Sequence, residues 1–151
     1  LRKRQQGRKK FLANIIFQAW QPDNFTKMSI KKKILIIDDE VFLANVLSEQ
    51  LAQEGYVCDI AGDGREGLEK SLSINPDLII LDLIMPVMDG FTMIERLRAD
   101  NRGKKIPVIV LSNINNAKTV EEMRSKGAQE YLVKVNNSLT DIVAAVSKLL
   151  K

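Results

Sequence analysis

From residue 30 onward the chain alternates short apolar runs with longer segments whose apolar residues recur every three or four positions. The runs fall at 34–37, 56–60, 78–81, 108–111 and 131–133. Apolar residues in succession, without the in–out alternation of a half-exposed strand, predict strands buried on both faces. The intervening segments predict helices. The first spans about 41–54, with Leu43, Val46, Leu47 and Leu51 on one face, and Gly55 stops it. Asp63-Gly64 opens the second, which carries Leu68 and Leu72 and ends at Asn75-Pro76. The third, about 91–99, turns Met93, Ile94 and Leu97 inward, and the fourth, about 117–126, stops at Gly127. Ser138-Leu139-Thr140-Asp141 is a capping-box-like start for a last helix with Ile142, Val143, Val146, Leu149 and Leu150 as its apolar stripe. The pattern is (βα)5. Such alternation with short loops implies right-handed crossovers and a doubly wound α/β architecture: a five-stranded parallel sheet with helices on both faces.

Four of the five predicted strands end in polar groups capable of chemistry. Asp38 and Asp39 follow the first, Asp82 the third, Ser112 the fourth and Lys134 the fifth. All would meet at the carboxyl edge of the sheet, where diverging loops leave a crevice for ligands. A lone Asp there could equally well cap the strand or turn. Three carboxylates together repel, and one would protonate unless a cation is present. Mg²⁺ suits a few carboxylates combined with a carbonyl, waters and phosphate oxygens. A carboxylate flanked by such an ion, an ammonium and a hydroxyl is equipped to attack phosphorus and hold the equatorial oxygens, giving an aspartyl phosphate.

Composition narrows the chemistry. The 151 residues contain no His, which excludes a Ser-His triad, a His metal ligand and a phosphohistidine within the chain. One Cys, Cys58, excludes an internal disulfide and a Cys-based zinc site. It lies in an apolar run and is expected to be buried and inert; the lack of disulfides suits a reducing cytoplasm. No run approaches the ~20 apolar residues of a membrane span. The net charge of +4 hints at nucleic acid, but its distribution argues otherwise. Arg2, Lys3, Arg4, Arg8, Lys9, Lys10 and Lys27 face only Asp23 within residues 1–27, so the rest of the chain is mildly acidic. In that basic segment Phe11, Leu12, Ile15, Ile16 and Trp20 have the i, i+4 spacing of a short amphipathic helix, a feature suited to an anionic surface. Asn14, Gln18 and the absence of a small-residue cleavage site argue against a signal peptide. Met28-Ser29-Ile30 reads as a natural start just before the first strand. Residues 1–29 are therefore expected to lie outside the domain, as translated upstream sequence or the end of a longer protein, and residues 30–151 to form it.

Ile36-Ile37-Asp38-Asp39-Glu40, the stretch from Leu81-Asp82 through Met85-Pro86-Val87-Met88-Asp89-Gly90, Leu111-Ser112 and Lys134 fall in one order on successive strand ends. From about residue 32 to 150 this resembles the receiver domain of two-component response regulators, with its flavodoxin-like fold. The resemblance implies a cytoplasmic signalling module rather than an enzyme. Asp82 would accept phosphate from a phosphohistidine of a sensor kinase or phosphotransfer protein. Asp39 and Asp82, with the Ile84 carbonyl, would bind Mg²⁺, and Asp38 would hold a metal-bound water. Ser112 would hydrogen-bond the phosphoryl group, Lys134 would pair with it, and Tyr131 would be the aromatic switch that turns inward as Ser112 moves. Two departures stand out. Val135 replaces the Pro that usually follows the Lys through a cis bond, so this peptide is expected to be trans. Asn113 replaces a small residue and is expected to narrow access to the phosphate. The resemblance also implies that the side chains two positions after Asp82 and two after Ser112 flank the path of a hydrolytic water; here they are Ile84 and Ile114, which cannot orient one, so slow loss of the phosphoryl group is expected.

The chain stops one residue past the last apolar stripe, so output is expected through a protein partner, on the surface of the fourth helix, fifth strand and last helix, without direct DNA binding. A degenerate receiver serving only as a docking module is an alternative. Gly62-Asp63-Gly64-Arg65-Glu66-Gly67 also matches the G-x-G-x-x-G of nucleotide-binding enzymes. Asp63 and Glu66 would crowd a pyrophosphate there, and that reading leaves Asp38, Asp39, Ser112 and Lys134 without a role.

Overall fold

A computed structural model describes residues 2–20 and 29–151. The chain forms two compact units, residues 1–30 and 31–151. In the first, helix α1 (Arg2–Ala19) exposes every residue. It is longer than the aromatic stretch expected to be helical, because the Arg, Lys and Gln residues before that stretch are themselves good helix formers. The proposed start at Met28 and the Gln21-Pro22-Asp23-Asn24 segment lie outside the described residues. No described helix is long and apolar enough to cross a membrane.

In the second unit the elements run β1 (Lys33–Ile37), α2 (Val41–Gln53), β2 (Val57–Ala61), α3 (Gly64–Ile74), β3 (Leu78–Leu81), α4 (Gly90–Ala99), β4 (Val108–Ser112), α5 (Ala117–Ser125), β5 (Glu130–Val133), a 3-10 turn (Lys134–Asn136) and α6 (Leu139–Leu150). The strands form one parallel sheet in the order β2-β1-β3-β4-β5. The apolar runs are continuous because both faces are covered. Leu35, Ile37, Ile79, Leu81, Val108 and Val110 pack with Met93, Ile94 and Leu97 of α4 and Met123 of α5. The alternate residues Ile34, Ile36, Leu78, Ile80, Ile109 and Leu111 pack with Ala44, Leu47 and Leu51 of α2 and Ile142 and Val146 of α6. The buried stripe of α2 thus runs through Ala44, while Leu43 and Val46 are only half-buried; a small residue lets that helix approach the sheet.

The helix signals act as their chemistry requires. Asp63, Asp89 and Asn116 accept N3 backbone N–H groups, and Ser138 with Asp141 forms a complete capping box. Gly127 has φ of +89°, and a Cβ there would also press on Arg98 Nε.

That contact belongs to a clamp with no sequence signal. The Arg98 guanidinium donates through Nη1 to the carbonyls of Gly103 and Ile106, each at 2.8 Å, and of Lys104 at 3.3 Å, and through Nη2 to Gly127 at 2.8 Å. One side chain thereby ties the loop before β4 to the turn before β5. Replacing it with Ala leaves several carbonyls without donors. Arg98→Ala is expected to lose about 3 kcal/mol in urea unfolding, and Arg98→Lys to recover little, since an ammonium cannot reproduce the planar fork.

Candidate functional site

Strand register, not sequence proximity, assembles the site. Ile37 pairs with Leu81, so the residues that follow, Asp38 and Asp82, emerge side by side. The Asp82 N–H donates to the Ile37 carbonyl at 2.9 Å and fixes that alignment. Ser112 pairs with Val133, which delivers Lys134 one step beyond Ser112. Gly90 closes the loop after β3: a Cβ there would collide with the Asp82 carbonyl oxygen, and the Gly90 N–H donates to the Leu83 carbonyl at 2.9 Å.

The Asp82 side chain is held by both oxygens. Oδ1 accepts the Leu83 N–H at 2.8 Å, and Oδ2 lies 3.3 Å from Lys134 Nζ. Lys134 Nζ also reaches Asp38 Oδ2 at 2.8 Å and Glu40 Oε1 at 3.4 Å. Asp38 turns its other oxygen to the Glu40 N–H at 2.9 Å. Burial is the largest influence on Asp82 and raises its pKa; the Lys134 charge opposes the rise and the Asp38 charge adds to it. Burial works against the Lys134 ammonium, yet the hydrogen bonds and charges of Asp38 and Asp82 outweigh it and hold its pKa above the ordinary value.

Carboxylate oxygens of Asp38, Asp39 and Asp82 lie within 4.8 Å of one another, with Asp38 and Asp82 buried and Asp39 exposed. Among the described residues Lys134 is the sole cation paired with Asp38 or Asp82, and Asp39 has no ion pair. One ammonium cannot neutralise three carboxylates and Glu40 as well. The set consists entirely of hard oxygen donors with an excess of negative charge, which fits a divalent cation.

These groups open into a cavity of about 450 Å³ lined by Asp39, Glu40, Asp82, Ile84, Ser112, Asn113, Ile114 and Lys134. Every strand-end residue singled out from the sequence except Asp38 lines it, and Asp38 is paired with the lining residue Lys134. Asn113 forms part of the wall. Ser112 is fully buried, and its Oγ accepts the Ile114 N–H at 3.3 Å. Tyr131 is already turned inward, 9% exposed, and donates its hydroxyl to the Ile114 carbonyl at 2.8 Å. Burial raises its pKa, a hydrogen bond with Ser112 opposes this, and the Asp82 charge adds to it. No peptide bond among the described residues is cis, so Lys134-Val135 is trans; Val135 stands 80% exposed on the 3-10 turn. Cys58 is half-buried, and burial raises its pKa. Glu40 is the site residue missed in the sequence; its only signal is its place directly after Asp38-Asp39.

The glycine-rich turn offers no anion cradle. Glu66 Oε2 accepts the Gly62 N–H at 3.0 Å and Asp63 Oδ1 accepts the Glu66 N–H at 2.9 Å, so carboxylates already occupy the amides a pyrophosphate would need.

A parallel sheet of order 2-1-3-4-5 with an acidic cluster and a lysine at its carboxyl edge defines a receiver-like class of α/β protein. Residues 34–147 match the model of the response regulator receiver domain. The chain belongs to that family. It is 37% identical over 119 residues to the DNA-binding dual master transcriptional regulator RpaA of Synechocystis, covering 79% of this chain and 49% of that protein. It is 34% identical over 105 residues to the chemotaxis protein CheY of Treponema pallidum, covering 68% of this chain and 72% of that protein. Among solved structures, the chemotaxis response regulator CheY4 of Vibrio cholerae superposes with a TM-score of 0.73 at 29% identity, covering 79% of this chain and 98% of that one. The chain spans about half the length of RpaA. Receiver domains are, as a family, non-catalytic modules of two-component signalling that histidine kinases phosphorylate.

Proposed function

We propose that residues 30–151 act as a phosphorylation-dependent signalling domain, with residues 1–29 as an extension, and that Asp82 accepts a phosphoryl group from a phosphohistidine on a kinase or phosphotransfer protein. The observation that carries this is the state of the Asp82 carboxylate. It lies at the base of an open cavity, with Oδ1 pinned to the Leu83 N–H and Oδ2 directed to Lys134. Oδ2 forms the new bond to phosphorus as the phosphorus–nitrogen bond to the donor imidazole breaks, and the bonding pair leaves with that nitrogen. Pinning one oxygen orients the other, which lowers the entropic cost of attack.

Asp39 and Asp82, with the Ile84 carbonyl, would hold Mg²⁺, and Asp38 would hold its water; bound there, the ion would supply positive charge to offset that of the phosphoryl oxygens. Lys134 follows the charge from Asp82 Oδ2 to a phosphoryl oxygen, while Asp38 and Glu40 keep its ammonium within the cavity. Ser112 donates its hydroxyl to a second oxygen. Because Tyr131 donates to the carbonyl of Ile114, whose N–H is held by Ser112 Oγ, a shift of Ser112 breaks or remakes contacts on β5. Output then passes to a protein partner through the α5–β5–α6 surface, with no enzymatic step of the domain's own and without direct contact to DNA. A docking module independent of phosphorylation would need none of this charge arrangement.

Incubation with acetyl phosphate and Mg²⁺ is expected to add one phosphoryl group by intact mass, labile to hydroxylamine. No added mass, or an adduct stable to hydroxylamine, contradicts the assignment.

A further inference from the structure

Helix α1 is divided along its length. Arg2, Lys3, Arg4, Arg8, Lys9 and Lys10 fill its first half, residues 11–20 carry no charge, and residues 2–20 contain neither Asp nor Glu. None of the six cations is therefore neutralised within the segment. In the second half Phe11, Leu12, Ile15, Ile16 and Trp20 each leave at least half of their surface exposed, and the helix buries no residue at all. At about 100° per residue, Phe11, Ile15, Ala19, Leu12, Ile16 and Trp20 follow one another around half of the circumference, and Asn14 and Gln18 stand together outside that arc. Most helices in proteins owe their stability to an apolar face that is buried. This one has the face without the burial.

The two halves meet in a groove. Arg4, Gln5, Gly7, Arg8 and Phe11 line a shallow cavity of about 680 Å³, and nothing lies within 4 Å of the place a Cβ on Gly7 would take, so the glycine leaves the groove open. Arg4 and Arg8 are one turn apart, and Phe11 and Ile15 continue the same face. Two guanidinium groups thus lead directly into two exposed apolar side chains.

We propose that α1 is an interfacial anchor that lies in the surface of a bilayer containing anionic phospholipid. Its arginines and lysines take the lipid phosphates, while Phe11, Leu12, Ile15, Ile16 and Trp20 enter the boundary of the acyl chains. A nucleic acid would engage the basic half and leave the uncharged half in water. A second copy of the helix would add cations with nothing to neutralise them. A bilayer surface meets both halves at once, because its phosphates and its acyl chains form adjoining layers. Long basic side chains reach phosphates from any side of a helix while their stems stay in the apolar boundary, so the basic half needs no separate polar face. Guanidinium groups match phosphate oxygens in pairs. Trp20 suits the boundary itself, with an apolar ring and one polar N–H. The helix lies on the bilayer rather than across it: ten uncharged residues rise ~15 Å, half of a hydrocarbon core of ~30 Å. The anchor is independent of the phosphoryl chemistry at Asp82.

Trp20 is the only Trp in the chain, so its emission reports on this segment alone. The test titrates the full chain with vesicles of equal parts phosphatidylcholine and phosphatidylglycerol, and separately with phosphatidylcholine alone. The mixed vesicles are expected to shift the emission to the blue and to carry the chain into the pellet on sedimentation. Phosphatidylcholine alone is expected to bind at least tenfold more weakly, and added salt to weaken binding to the mixed vesicles by screening. Ile15→Gln combined with Ile16→Gln removes apolar area at constant charge and is expected to weaken binding at least tenfold. Arg4→Gln combined with Arg8→Gln is expected to weaken binding several-fold on the mixed vesicles and to leave phosphatidylcholine unaffected. Both double variants keep the parent's melting temperature and its labelling by acetyl phosphate. The proposal is overturned by an unshifted emission with the mixed vesicles, by equal binding to the two compositions, or by parent-level binding in the isoleucine variant. Tighter binding to a single-stranded oligonucleotide than to the mixed vesicles would assign the basic half to nucleic acid and overturn it too. Emission already blue without lipid and shifting to the red on dilution would assign the apolar half to a second copy, with the same result.

Discussion

Asp82→Asn is expected to abolish phosphoryl incorporation from acetyl phosphate while leaving a folded and more stable domain. The amide keeps the shape and the acceptor that the Leu83 N–H needs, but it loses the charged oxygen that faces Lys134. Neither Asp38 nor Asp39 replaces it: Asp38 is bound to Lys134 and the Glu40 N–H, and Asp39 is exposed. The stability change follows from the raised pKa of Asp82, whose main cause is burial. Ionising this carboxyl costs the folded state more than the unfolded one. That cost is absent below the unfolded value of ~3.9 and fully present once the pH exceeds the higher folded value. At pH 7 the parent carries it and the Asn variant does not. Lys134 keeps its 2.8 Å partner Asp38 in the variant. The melting temperature in chelator at pH 7 is therefore expected to rise, and the gain to shrink as the pH falls toward 4. Residual hydroxylamine-labile phosphate on the variant would place the acceptor elsewhere; a lower melting temperature at pH 7 would show that the Asp82–Lys134 attraction outweighs burial.

The phosphorylated form is expected to decay slowly, and the double variant Ile84→Asn, Ile114→Glu to decay at least about tenfold faster, the modest end of what a positioned proton-transfer group contributes. Hydrolysis needs a water in line with the bond between Asp82 and phosphorus. The structure puts Ile84 and Ile114 in the wall of the same cavity, Ile84 63% exposed and Ile114 held by its backbone to Ser112 and Tyr131. Two branched apolar side chains exclude a water and offer it no hydrogen bond. Asn and Glu at these positions supply an amide and a carboxylate that can orient one. Loss of the phosphoryl group is followed by intact mass with Mg²⁺ present. An unchanged rate in the double variant would show that water access at these two positions does not set the lifetime.

The sequence by itself determined the elements and the edge of the sheet at which chemistry would gather. Apolar runs without alternation dictate strands covered on both faces, and the caps at Asp63, Asp89 and Ser138 act over three residues, so local chemistry suffices to read them. Asp38, Asp82, Ser112 and Lys134 were legible for a related reason: in a parallel sheet every strand ends at the same side, and the polar residue after each run must arrive there. The aromatic stretch of α1 was legible as helix, although its basic lead-in was not.

Tertiary structure alone decided the rest. Glu40 joins the site through Lys134, a partner far along the chain, and no periodicity encodes that meeting. The fork of Arg98 closes on carbonyls from two separate loops, and a backbone carbonyl carries no residue identity for a sequence to display. Tyr131 looked like a residue awaiting a signal to turn inward; packing beside Ser112 and the Ile114 carbonyl already holds it there. The positive φ at Val87 ran against every local preference of valine. Local preference is a weak force, and the anchoring of Met88 to Gly64 together with the closure at Gly90 fixes the path of that loop whatever residue stands at its tip.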